Sequence, residues 1–193
     1  MADRRPIIIR AQYKKAISTP DEYVKYIISD DDISTWYVLL GGMDGNENEF
    51  MQGEFLVRIK LPINYPYSPP EFYFMTPQGV YDVEKKVCIS IGEYHSDNYR
   101  AVLGVPGFCA QLVSGFVGWK ELGTGINLLK TTADAKRIYA QNSREYNYTH
   151  NSHVMEKINN AYHEYSQQWD INKIPESLRL KLGLTIPRDA ESQ

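Results

Sequence analysis

The chain has 193 residues, 42% of them hydrophobic and 23% charged, a balance that excludes wholesale disorder and fits one decorated domain. Net charge is −3, and the basic clusters Arg4-Arg5, Lys14-Lys15 and Lys85-Lys86 are short, so they read as solvated faces and not as a nucleic-acid footprint. Two cysteines, Cys88 and Cys109, are too few for a disulfide framework, the opening MADRRPIIIRAQ is no signal peptide, and no apolar stretch approaches the ~20 residues of a membrane span, which predicts a soluble protein of the cytoplasm or nucleus, expected to be monomeric.

In chain order, the spacing of Ile7, Ile8, Ala11, Tyr13 and Lys14 predicts a first helix over Pro6 to Ile17, with Pro6 in its first turn and Pro20 beyond its end. Four short segments rich in β-branched and aromatic residues follow: Tyr23 to Ser29, Thr35 to Leu40, Gly53 to Leu61 and Glu71 to Met75. The separators SDDD, GGMDGNENE and PINYPYSPP are turn-like, so the strands form an antiparallel meander. The run Phe55 to Leu61 alternates as a strand with one face on a core. Thr76 to Gly107 fits no regular element, and a connection of that length is functional when it is this rich in apolar residues. Helices are predicted over Phe108 to Trp119, Thr132 to Ser143 and His150 to Trp169, with a short one over Glu176 to Leu182 in the polar tail. The order gives an α+β domain over residues 1–170 and a short C-terminal extension over 171–193.

The segment Pro62-Ile63-Asn64-Tyr65-Pro66-Tyr67-Ser68-Pro69-Pro70-Glu71-Phe72 is a rigid corner between two strands, because its prolines fix the backbone and donate no hydrogen bond. It resembles the YPxxPP signature of ubiquitin-conjugating enzymes. Trp36 with Leu39-Leu40-Gly41 resembles that family's second strand, and Glu49-Phe50-Met51-Gln52-Gly53-Glu54-Phe55 resembles its PYxGGxF segment, with Gln52 replacing a glycine. Ala135-Lys136-Arg137-Ile138-Tyr139 and Ser143-Arg144-Glu145-Tyr146-Asn147 resemble the helices after its active-site region. The resemblance covers about residues 7 to 169. It implies the ubiquitin-conjugating fold: an N-terminal helix, a four-stranded antiparallel meander, a long active-site loop and C-terminal helices.

The chemistry of that family needs a thiol that accepts the C-terminal carbonyl of ubiquitin from an activating enzyme and yields it to an amine or to a ligase cysteine. Thiolate is both a good nucleophile and a good leaving group. The run Lys86-Val87-Cys88-Ile89-Ser90-Ile91 makes Cys88 the candidate, whereas Cys109 stands in an apolar helical run where a cysteine behaves as a small hydrophobe. The family's usual His-Pro-Asn is replaced by Thr76-Pro77-Gln78-Gly79, with Gln78 ten residues before Cys88. The endoplasmic-reticulum-associated, tail-anchored branch carries Thr-Pro-Asn-Gly at that distance and a Cys-x-Ser-Ile run followed by His-Pro-Asp. Cys88-Ile89-Ser90-Ile91 and His95-Ser96-Asp97 resemble those elements, so the chain resembles a variant of that branch without its membrane anchor.

The resemblance implies roles for three further residues. Gln78 either donates toward the oxyanion of attack or holds the loop, with a surface turn residue as the plain alternative. His95 and Asp97 either polarise the incoming amine or order the loop. A Cys-His-Asp protease triad is disfavoured because residues so close in sequence rarely build one. Arg10 and Lys14, with Lys15, resemble the basic residues that meet the activating enzyme. Tyr67 matches the aromatic of a ligase-contacting loop, and Val105-Pro106-Gly107 a second such loop. No metal or cofactor is expected, since Cys88, His95, His150 and His153 lack zinc-ligand spacing. The rival expectation is an inactive variant of the same fold that binds ubiquitin or another partner.

Overall fold

The computed structural model describes residues 4–19, 21, 23–41, 48–87, 99–121 and 128–162. Its elements run in the order α1 (Arg5–Ser18), β1 (Val24–Ile28), β2 (Thr35–Leu40), β3 (Phe55–Lys60), β4 (Glu71–Phe74), a 3-10 turn (Ala101–Leu103), α2 (Gly104–Val117), a second 3-10 turn (Trp119–Glu121), α3 (Ala133–His150) and α4 (Ser152–Ala161). The strands form one antiparallel sheet in the order β1-β2-β3-β4. This is the α+β meander expected from the sequence.

Alternation divides the sheet's residues between two cores. Tyr26, Val38, Val57 and Phe74 lie in register across the four strands and share the larger core with Ile9 and Tyr13 of α1 and Phe108 and Leu112 of α2. Ile27, Leu39 and Leu56, each one residue out of phase, join Val154, Met155 and Ile158 of α4 in a second core. The period of two in each strand thus places helices against both faces of the sheet. Each fully buried Leu, Ile, Phe or Met in these layers contributes about 1.5–3 kcal/mol. Edge-to-face rings add geometry: Tyr13 and Trp36 lie 5.2 Å apart at 85°, and Phe72 and Phe108 lie 6.3 Å apart at 84°.

In α1 the residues turned inward are Ile9, Tyr13 and Ala16, spaced by four and three, while Ile7 is exposed. The edge strand β1 is closed by Tyr162 just past α4, whose hydroxyl accepts from Tyr26 N at 2.7 Å and donates to Tyr26 O at 3.0 Å. A sheet edge left open offers unpaired donors and acceptors, and this hydroxyl satisfies one of each.

Three expected boundaries shift. Helix α2 begins at Gly104, before Phe108, because a proline at position 106 stands in the first turn, where no intrahelical donor is lost. Helix α3 continues past Ser143 to His150, since Ser143 and Asn147 face inward and are held by the sheet. Helix α4 starts at Ser152. The predicted continuation to Trp169, the short helix over Glu176 to Leu182 and the boundary at residue 170 lie outside the described residues. No helix among the described residues is long and apolar enough to cross a membrane.

Candidate active site

The segment after β4 is built from the polar face of α3. Ser143 Oγ accepts from Glu54 N at 2.8 Å, and Asn147 Nδ2 donates to Glu54 O at 2.8 Å. Thr76 Oγ1 accepts from Leu56 N at 2.8 Å and donates to Asn147 Oδ1 at 2.5 Å. Thr76, Ser143 and Asn147 are buried. Their hydrogen bonds satisfy backbone groups of the β3 start and hold residue 76 against the sheet.

Two residues on, Gln78 is fully buried, at 0% exposure. Its Oε1 accepts from Val80 N at 2.5 Å and Tyr81 N at 2.8 Å, and its Nε2 donates to Tyr81 O at 2.6 Å. The amide therefore closes its own turn. The exposed turn residue allowed by the sequence is replaced by a buried one. Gly79 takes a φ of 79°, and a Cβ there would meet Thr131 Oγ1 at 2.8 Å, so both conformation and space require glycine.

From this turn the chain runs back along β4. Leu129 N donates to Val80 O at 2.7 Å, the rings of Phe74 and Tyr81 stack at 5.2 Å, and Glu84 N donates to Phe74 O at 2.8 Å. At its end Lys86 Nζ meets Glu71 Oε1 at 2.8 Å, and Val87 N donates to Phe72 O at 2.9 Å. Burial disfavours charge on Glu71, but the hydrogen bonds from Lys86 and Tyr73 prevail and hold its carboxyl below the usual range. Val87 is buried. The chain is thus fixed to the outer strand through Val87.

Cys88, His95 and Asp97 lie outside the described residues. Beyond them the chain is again anchored at Tyr99, whose hydroxyl donates to Pro66 O at 2.8 Å and whose ring lies 5.7 Å from that of Phe108. Cys109 is 0% exposed in α2, and burial pushes its thiol well above the ordinary range. A neutral, enclosed thiol is neither a nucleophile nor a ligand. No group of three or more His, Cys, Asp or Glu suited to a metal ion occurs among the described residues.

The remaining predicted residues fall on two surfaces. Arg10 is half-buried and Lys14 exposed on α1. Tyr67 and Ile63 are 86% and 82% exposed on the proline turn. Pro106 is half-buried within α2, so Val105-Pro106-Gly107 is the first helical turn and not a loop. The apolar residue presented there is Val102, 92% exposed, in the 3-10 turn that Tyr99 ties to the proline turn. Val102 stands two residues before Gly104, whose φ of 58° marks the helix start.

A profile described as "Ubiquitin-conjugating enzyme" matches residues 8–115. The chain is similar to Ubiquitin-conjugating enzyme E2 6 of Eremothecium gossypii, 28% identical over 138 residues that cover 72% of this chain and 55% of that protein. It is similar to Ubiquitin-conjugating enzyme E2 34 of Arabidopsis thaliana, 27% identical over 139 residues covering 72% and 56%. The chain thus matches little more than half the length of these relatives. Among solved structures, human Ubiquitin-conjugating enzyme E2 G1 superposes with a TM-score of 0.52 at 22% identity, over 61% of this chain and 98% of that one, a likeness of fold.

Proposed function

The chain belongs to the ubiquitin-conjugating enzyme family, and on that premise we propose that it carries ubiquitin or a related modifier as a thioester on Cys88 and passes it to an amine or to a ligase cysteine. This reading is supported most directly by the pair of anchors at Val87 N–Phe72 O and Lys86–Glu71, which hold the chain to the outer strand up to the residue before Cys88, while Cys109 is enclosed. In the reaction, the Cys88 thiolate attacks the modifier's activated C-terminal carbonyl and displaces the activating enzyme's thiol. The amine nitrogen of an acceptor then attacks the same carbon, the C–S bond breaks, and the departing thiolate takes up the proton released from nitrogen.

Gln78 serves this chemistry as the residue that closes the turn, since both ends of its amide are engaged there. His95 and Asp97, seven and nine residues beyond the thiol, are proposed to polarise the amine or order the surrounding loop. Arg10 and Lys14 are proposed to meet the activating enzyme, and Tyr67, Val102 and the nearby Pro106 a ligase.

The test is incubation with activating enzyme, ubiquitin and ATP. A reductant-sensitive adduct of one ubiquitin is expected, lost in Cys88→Ala and kept in Cys109→Ala. Absence of the adduct from the unaltered chain overturns the enzyme reading in favour of a non-catalytic binding module.

A further inference from the structure

Helix α3 buries a lysine. Lys136 is 1% exposed, and a lysine is almost never fully buried without partners. Its Nζ donates to Thr131 O at 2.9 Å and to Thr131 Oγ1 at 2.8 Å, and lies 3.8 Å from the centre of the Trp119 ring. Trp119 in turn donates Nε1 to Glu49 Oε2 at 2.9 Å, and Lys120 and Arg137 face the same carboxylate at 3.4 and 3.7 Å.

The direction of the protons follows from the donor inventory. An ammonium has three donors and no acceptor, so Thr131 Oγ1 accepts from Lys136. That orientation leaves the threonine proton for the Gly79 carbonyl, 2.5 Å away. Gly79 is pressed against the same group: a Cβ there would stand 2.8 Å from Thr131 Oγ1 and 3.1 Å from Lys136 Cγ. An apolar side chain of similar length would fill the space without the desolvation penalty of an ammonium, but it would leave the hydroxyl of Thr131 free to turn.

We propose that Lys136 is a positioning residue, which through Thr131 fixes the Gln78–Tyr81 turn and hence the segment leading to Cys88, and so sets the rate of transfer to an amine. The proposal rests on Cys88 being the acceptor thiol. Burial lowers the affinity of Lys136 for its proton, and the Glu49 carboxylate partly opposes that shift. Aminolysis of the thioester depends on donors placed to within about 1 Å, and a displacement of that size costs up to about 100-fold. Exchange between thiols depends on thiolate and access and is less sensitive to the turn.

The full-length chain is charged with activating enzyme, ubiquitin and ATP, charging is stopped, and loss of the thioester is followed after adding free lysine. Lys136→Met and Thr131→Val are expected to charge within about twofold of the unaltered chain but to discharge about tenfold more slowly. Thr131→Ser, which keeps the hydroxyl, is expected to discharge like the unaltered chain. Because both variants break one relay, the double variant is no slower than either alone. Hydrogen exchange at the amides of Val80 and Tyr81 reads the tether without any chemistry and is expected to quicken in Lys136→Met. Unchanged exchange, an unchanged discharge rate, or charging and discharge reduced in equal proportion overturns the proposal. If the unaltered chain forms no adduct, the Cys88 reading fails, and the exchange measurement still decides the tether.

Discussion

Thr76 Oγ1 donates to Asn147 Oδ1 at 2.5 Å while accepting from Leu56 N at 2.8 Å, so one hydroxyl joins α3, β3 and the start of the active-site segment. Removing it leaves a buried amide donor and a buried carboxamide oxygen each short of a partner. Thr76→Val preserves shape and is expected to destabilise the fold by about 1–3 kcal/mol. Urea denaturation checks this; a midpoint unchanged with the same slope would show that the network contributes no stability.

Gln78→Ala opens the turn by leaving Val80 N, Tyr81 N and Tyr81 O without their side-chain partner. A stability loss of about 1–3 kcal/mol is expected, together with slower discharge to free lysine. Were Gln78 acting on the oxyanion alone, discharge would slow with the melting temperature unmoved, and paired thermal and single-turnover measurements separate the two.

The two cysteines are expected to differ in reactivity. Cys109, enclosed and with its thiol pushed up by burial, should resist iodoacetamide at pH 8 in the folded protein, while Cys88 is alkylated. Mass spectrometry of tryptic peptides reports the site. Equal labelling of both positions under native conditions contradicts the enclosed placement of Cys109.

Glu49 gives the acid limb its sign. The hydrogen bond from Trp119 holds its carboxyl below the ordinary value of 4.5, against the opposing effect of burial and with help from Lys120. The folded state thus binds this proton less readily than the unfolded one. The stabilisation is fully present above the unfolded pKa near 4.5 and is lost as pH falls through the lower folded value. Trp119→Phe removes the donor and should flatten the fall in urea midpoint between pH 5 and about 3. An identical slope in both proteins would assign acid sensitivity elsewhere.

Much of the fold was legible because it is local. Thr35 to Leu40 has the bounds its sequence predicts, since this short run of β-branched, aromatic and aliphatic residues is set off by turn residues on either side. The corner at Pro62 to Pro70 and its exposed Tyr67 follow from proline chemistry in the same way. The loop-like residues Val105-Pro106-Gly107 predict a later start for α2 than the one observed, yet Pro106 suits a first turn and Gly107 lets the chain pass Leu103, where a Cβ would stand 2.8 Å from the leucine Cβ.

The site was legible in its residue types and not in its contacts. Sequence alone determined the order of elements, the strand periodicity, the two cysteines and the departure from His-Pro-Asn at Gln78. The enclosure of Cys109 follows from its apolar helical run, but only the tertiary structure decided that Gln78 turns inward to close its own turn and that Lys136 is buried against Thr131 and Trp119. Gln, Lys, Ser and Asn are ordinarily surface residues, and their burial here depends on partners supplied by other elements, such as Glu54 for Asn147. Such pairings have no local periodicity and exist once α3 has packed against the sheet.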